Sequence, residues 1–310
     1  MEYKELKVNL PKSLSDEFYV LLDELQCAGY YEILFDGEAP KEENQGLIRD
    51  NTNIRIYLQS DELEKELKIR IFLKIHANGS SFVESRLIET RDYEEAYKEY
   101  YKPFPIGKNL WVIPTWEKEE PKTLDLYKNS GVPIFINPGV AFGTGHHETT
   151  KLILEYLDEL YFDKKIVIES ACDIGTGSGI LSIGLAKLGV KRIFALDIDP
   201  NAVKAAWSNW LENDFPKSIQ FRVEESGIEN PNLVDRTYDL AIANITFAVL
   251  SQNIHHLASV NTKRFIFSGI VSDKKNQFVD LLNTYIPGTL NHSKEWNEWW
   301  ILDWSKKVTG

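Results

Sequence analysis

The sequence predicts a doubly wound α/β domain preceded by a smaller α+β, ferredoxin-like domain, and three observations carry this expectation. The chain has 310 residues, more than the roughly 250–300 at which a single hydrophobic core stops growing. Its first ninety residues alternate strand-like and helix-like pieces in the order β-α-β-β-α-β. Beyond about residue 108, apolar strands alternate with amphipathic helices, the pattern of a parallel sheet covered on both faces.

The first domain, 1–90, begins with a strand-like run over 3–10. A helix follows over 11–28, where Leu14, Phe18, Leu21, Leu22 and Leu25 recur at helical spacing. Strand-like runs occupy 30–35 and 54–58, separated by a polar segment carrying Gly37, Pro40 and Gly46. A second helix spans 61–75 and a last strand 81–88. Residues 91–107 read as a linker, first helical and aromatic, then broken by Pro103 and Pro105. The second domain, 108–310, opens with a strand-like LWVIPTW. Elements follow over 166–174, 179–188, 192–197, 201–213, 238–244, 249–260 and 264–270.

Composition narrows the function classes. Hydrophobic residues make up 43% and charged residues 26%, which excludes disordered and collagen-like chains. Lys and Arg number 35 against 47 Asp and Glu, giving a net charge of −12. Gripping a nucleic-acid backbone is therefore not its main work, while a basic partner and plain solubility both remain open. Cys27 and Cys172 have no second cysteine nearby, so a disulfide framework or zinc knuckle is not expected. The charged start and the lack of a long apolar run predict neither signal peptide nor membrane span. The expectation is a soluble, cytoplasmic monomer.

Asp173-Ile174-Gly175-Thr176-Gly177-Ser178-Gly179 follows an apolar strand and precedes the helical ILSIGLAKL. Glycines let the backbone turn tightly and approach a ligand, and the helix start offers free N–H groups. The dinucleotide fingerprint requires a glycine where Ile180 stands, so GxGxG with a preceding acid points instead to an S-adenosylmethionine loop. Asp197, at the next strand end, can accept hydrogen bonds from both ribose hydroxyls. Asp199, before Pro200, reads as a helix cap. Asn244 ends the 238–244 strand at the carboxyl edge of the sheet, where ligands bind in such folds, although an Asn there can also be a turn former.

A glycine-rich stretch, NPGVAFGTGHHETT over 137–150, enters a helix at Lys151. It resembles the PGxAFGTGxHxTT pattern of the PrmA family, methyltransferases acting on the large-subunit ribosomal protein numbered eleven. YKPFPIGKNLWVIPTW, ALDIDPNAV, AIANI and FSGI continue the resemblance in order over roughly 91–304. The resemblance implies a Rossmann-like class I methyltransferase domain, S-adenosyl-L-methionine as cofactor, and transfer to lysine side-chain amines, with an N-terminal amine as a further acceptor. It implies cofactor contacts from Thr150, Gly175, Asp197 and Asn244, with Thr149, Gly177 and Asp173 beside them. The resemblance further implies that Phe142 closes over the ligand and that Asn244 lies beside the transferred methyl. The resemblance also gives the first domain the recognition of the protein substrate. Two departures stand out: at the variable positions of the pattern, His146 and Glu148 stand where the family typically has Thr and Pro, and four more residues than expected separate Thr150 from Gly175.

Other readings stay open at this point: a lysine methyltransferase with a different protein target, or a non-catalytic S-adenosylmethionine-binding module. Metal is not expected, because HExxH fails at Lys151. Trp296, Trp299, Trp300 and Trp304 near the C-terminus read as sheet packing rather than an aromatic cage. Cys172 reads as a buried small hydrophobe.

Overall fold

The structure, a computed structural model, describes residues 2–25, 27, 29–32, 51–76, 82–89, 98, 101–127, 131–137 and 145–307. The chain divides into two compact units, Met1–Tyr101 and Lys102–Gly310.

In the first unit, β1 (Glu2–Pro11) passes through a 3-10 turn into α1 (Ser15–Leu25), followed by β2 (Gly29–Glu32), β3 (Asn51–Gln59), α2 (Leu63–His76) and β4 (Phe82–Glu89). The sheet order is β2-β3-β1-β4, with antiparallel neighbours, which is the ferredoxin-like arrangement the element order predicts. Period-two alternation puts Leu6, Val8 and Leu10 of β1 with Ile54, Ile56 and Leu58 of β3 on one buried face, against Phe18 and Leu22 of α1 and Ile69 and Leu73 of α2. Glu5 lies on the other face and is also buried, accepting from Arg86 Nε at 2.6 Å and Tyr57 OH at 3.0 Å. Burial raises its carboxyl pKa, but the bonds from Arg86 and Tyr57 and the charge of Arg55 more than offset this and hold it below the usual value. Most of the helical stretch expected over 91–101 lies outside the described residues.

The second unit begins with β5 (Phe104–Ile106), β6 (Leu110–Pro114), α3 (Pro121–Tyr127) and β7 (Val132–Ile136), whose strands form a sheet ordered β5-β6-β7. Residues 104–106, expected in the linker because of Pro103 and Pro105, thus pair with β6 as an edge strand, a position where the missing N–H of Pro105 is tolerated. Next come α4 (Glu148–Asp158), β8 (Ser170–Ile174), α5 (Ile180–Lys187), β9 (Arg192–Asp197), α6 (Pro200–Leu211), β10 (Gln220–Glu225) and α7 (Asn232–Asp235). β11 (Leu240–Asn244), α8 (Phe247–Gln252), α9 (Ile254–Ser259), β12 (Arg264–Val271), α10 (Lys275–Tyr285), β13 (Gly288–Trp296) and β14 (Trp299–Lys306) complete the unit.

The main sheet runs β10-β9-β8-β11-β12-β14-β13. Its first five strands are parallel, but β14 is antiparallel to both neighbours, so the expected parallel sheet is in fact mixed. Strand order reverses between β8 and β11, which creates the crevice used by ligands in open α/β sheets. One face is covered by α4 and α5 through Ile153, Leu157 and Ile183. The other is covered by α8, α9 and α10 through Leu250, Leu257, Phe278 and Leu282. Buried Asp303 accepts from Tyr156 OH at 2.5 Å and Arg264 Nε at 2.9 Å, tying α4 to β12 and β14.

Two expected elements of this unit differ. The strand read over 166–174 is confined to β8. Ile166 and Ile168 pack against the core before it without pairing, and the Asp239 carboxylate takes the N–H groups of Glu169 and Ser170. The helix expected over 249–260 is two helices broken at Asn253, whose φ and ψ of −104° and 16° leave the helical well. Between Thr150 and Gly175 the chain makes a π-helical turn, Glu159–Asp163, which prolongs α4.

Candidate functional site

β8 ends in a turn with Gly175, Gly177 and Gly179 all at positive φ, at 72°, 54° and 82°, a region that L side chains rarely adopt. Sterics add to the requirement. A Cβ on Gly175 would collide with Ile245 Cγ2, and one on Gly179 would lie 2.9 Å from Ala206 Cα, where α5 starts against α6. The Gly175 and Thr176 N–H groups donate to Leu196 O, fixing the turn to the end of β9. Asp173 is fully buried, and its Oδ2 accepts from the Thr176 and Ser182 hydroxyls at 2.7 Å each. Burial pushes its carboxyl pKa up despite those bonds. Asp173 therefore shapes the turn from beneath.

Asp197 ends β9 beside this turn. Its Oδ2 accepts from Gly177 N at 2.9 Å and its Oδ1 from Asp199 N at 3.0 Å, so the carboxylate is oriented while each oxygen keeps a further lone pair. Burial raises its pKa above the usual carboxylate value, with the backbone bonds opposing. Asp199 caps α6 as expected, accepting from Asn201 N at 2.8 Å with Pro200 in the first turn. Ile198, not singled out in the sequence, is 79% exposed at this edge. Its signal was its place beside Asp197.

His147 caps α4: its Nδ1 accepts from Thr149 N at 3.3 Å and lies 2.8 Å from Thr149 Oγ1. The Thr149 hydroxyl is thus engaged in the cap. Thr150, one residue on and fully buried, accepts from Asn244 Nδ2 at 3.4 Å. The fold thereby brings Thr150 to Asn244, at the same strand edge as the glycine turn and Asp197. Phe142 and the rest of 138–144 lie outside the described residues.

His146 packs on Phe104 with ring centroids 4.3 Å apart, and burial, aided by Lys151, pushes its pKa down to about 3. Among the described residues no group of three His, Cys, Asp or Glu side chains is arranged to hold a metal. Cys172 is fully buried, and burial pushes its thiol pKa well up. Trp304 is sheet packing, buried with its Nε1 donating to Ile286 O at 2.8 Å. Trp296 differs: it is 37% exposed at the β13–β14 tip, its ring centroid 5.4 Å from Lys151 Nζ. Asn297, in that tip, donates to Glu148 Oε1 at 2.9 Å. Its partner is 149 positions away, and no local pattern announced the pair.

A family model described as ribosomal protein L11 methyltransferase (PrmA) matches residues 2–307. A protein named ribosomal protein L11 methyltransferase from Leptospira interrogans serogroup Icterohaemorrhagiae serovar copenhageni is 45% identical over 307 residues, covering 99% of this chain and 100% of that protein. One of the same name from Thermoanaerobacter sp. (strain X514) is 32% identical, covering 85% and 84%. The crystal structure of a ribosomal protein L11 methylase from Lactobacillus delbrueckii subsp. bulgaricus aligns with a TM-score of 0.56 at 28% identity, over 67% of this chain and 100% of that one. With a family match that runs almost end to end and a relative 45% identical over 99% of its length, the chain belongs to the ribosomal protein L11 methyltransferase (PrmA) family.

Proposed function

We infer that this protein transfers methyl groups from S-adenosyl-L-methionine to amines of large-subunit ribosomal protein L11, lysine side chains first among them and the N-terminal amine as a further acceptor. The observation that carries the reading is the convergence of the Gly175–Gly179 turn, the oriented Asp197 carboxylate and the Asn244–Thr150 pair at one strand edge. These residues fit the cofactor. Asp197 has lone pairs for a ribose diol, Ile198 offers an apolar surface for a flat base, and the turn lets backbone come close.

When bound, S-adenosyl-L-methionine supplies a methyl group already activated by its sulfonium. What this chain must provide is a neutral, aligned amine. A lysine with pKa near 10.4 is neutral about one part in a thousand at pH 7.4, a penalty of roughly 4 kcal/mol. Neither Asn244 nor Thr150 can act as a base near neutrality. Because Asn244 Nδ2 is committed to Thr150, its Oδ1 is the atom left to accept a hydrogen bond from the amine. Asn244 orients the nitrogen lone pair, the proton leaves to water before attack, and positioning does most of the catalysis.

The first unit is the substrate-recognition part in this reading. Leu63, Leu67, Ile71 and Ile75 recur every fourth residue along α2 and are exposed, an apolar stripe of the kind that marks protein contacts. Among the described residues no helix is long and apolar enough to cross a membrane; separately, we infer from the ribosomal substrate that the enzyme works in the cytoplasm. Incubating the protein with methyl-labelled cofactor and undermethylated ribosomes tests the reading. Label on L11 supports it, whereas label only on another protein would redirect it to that target.

A further inference from the structure

Glu148 is a carboxylate where burial is costly. It is only 5% exposed, in the first turn of α4; Oε1 accepts from Asn297 Nδ2 at 2.9 Å, and Oε2 is buried without a hydrogen-bond partner among the described residues. The helix N-terminus favours a negative charge, yet a buried, half-satisfied carboxylate remains expensive. What it holds is the tip of the β13–β14 hairpin. That tip turns through Asn297 and Glu298 at φ of 49° and 69°, and its other flank is tied to the end of β12, where Ser272 Oγ donates to Glu295 Oε1 at 2.5 Å and Trp300 Nε1 donates to Ser272 Oγ at 3.0 Å.

The position of the tip gives this clamp a meaning. Asn244 pairs with Ser268 of β12, and Ile270 and Val271 pair with Trp300 and Trp299 of β14. The hairpin tip therefore emerges at the same edge as Asn244, on the side of the sheet away from β9 and Asp197. The partly exposed Trp296 ring there faces Lys151 Nζ, and Trp299 meets the His147 ring edge-on at 5.0 Å. If the cofactor occupies the β8–β9 half, as the proposed function holds, the acceptor must arrive over this other half.

We propose that Glu148 is a positioning residue for the acceptor lysine: by holding Asn297 it fixes the β13–β14 tip, and with it Trp296, as the wall along which the lysine reaches Asn244. The aliphatic stem of a lysine packs on an indole face while its head stays polar. Glu148 acts through Asn297 and Trp296 without touching the reacting atoms.

The test is steady-state methylation of L11 by the full-length enzyme, with cofactor Kd measured in parallel. Glu148→Ala, Asn297→Gly and Trp296→Ala should each raise KM for L11 about five- to tenfold, with kcat and cofactor Kd within about twofold of wild type. Asn297→Gly removes the side chain from an exposed turn while tolerating its positive φ, so it reports even if Glu148→Ala folds poorly. Glu148→Gln retains an acceptor for Asn297 and should keep a near-wild-type KM. The Glu148→Ala/Trp296→Ala double variant should be no worse than Trp296→Ala alone. An unchanged KM in Asn297→Gly, a Gln variant as impaired as the Ala variant, or additive losses in the double variant would each overturn the proposal. Failure of the underlying cofactor-site reading would appear elsewhere, as an unchanged cofactor Kd in Asp197→Ala.

Discussion

Asn244 Nδ2 donates to Thr150 Oγ1 at 3.4 Å, joining the end of β11 to the first turn of α4 across 94 positions. A strand end and a helix start far apart in sequence are thereby held as one side of a site. Replacing Asn244 with Ala should lower kcat by about a hundredfold while changing cofactor Kd only a few-fold, since alignment is lost and most cofactor contacts remain. Thr150→Val removes only the acceptor for Nδ2 and should cost about fivefold in kcat, the worth of one neutral hydrogen bond. Steady-state kinetics with L11 separate the two.

Asp197 holds Gly177 N and Asp199 N while facing the proposed ribose site. Asp197→Ala should weaken cofactor binding about tenfold or more by calorimetry. Its raised pKa sets the pH dependence. Protonation removes acceptor capacity, so cofactor affinity should fall on acidification at a pH above the ordinary aspartate range.

Gly175 combines a φ of 72° with an Ile245 methyl in the space a Cβ would fill. Gly175→Ala should destabilise the second unit by about 1–3 kcal/mol and remove cofactor binding. Adding Ile245→Ala should relieve the collision but not the backbone strain, so the melting temperature recovers only in part.

His146 is held neutral, its pKa about 3 against 6.5 unfolded. The unfolded chain therefore binds the proton first, and the native state loses stability as pH falls from about 6.5 toward 3. His146→Thr should show a smaller drop in melting temperature between pH 7.5 and pH 5 than wild type. An equal drop would mean that His146 is not the group responsible.

What could be read from the sequence was local. The turn from Asp173 to Gly179, Asp197 one strand on and the Asp199–Pro200 cap are short-range patterns, because backbone conformation and capping are decided within a few residues. The ferredoxin-like order followed from alternating periodicities, whereas the antiparallel β14 did not, since strand direction is set by the hairpin through Asn297 and Glu298 rather than by apolar content. Ile166 and Ile168 imitated a strand because they pack on the core without pairing. Thr149, expected beside the Thr150 contact, turns instead into the His147 cap, while Thr150 meets Asn244. The Glu148–Asn297 pair was invisible because its two halves meet only once the hairpin docks on α4.

The first measurement to make is intact-mass analysis of free ribosomal protein L11 after incubation with this enzyme and S-adenosyl-L-methionine. Successive mass steps of one methyl group are expected with the wild-type chain, and their near-absence with Asn244→Ala. An unmodified L11 mass, alongside calorimetrically confirmed cofactor binding, would contradict methyl transfer to L11.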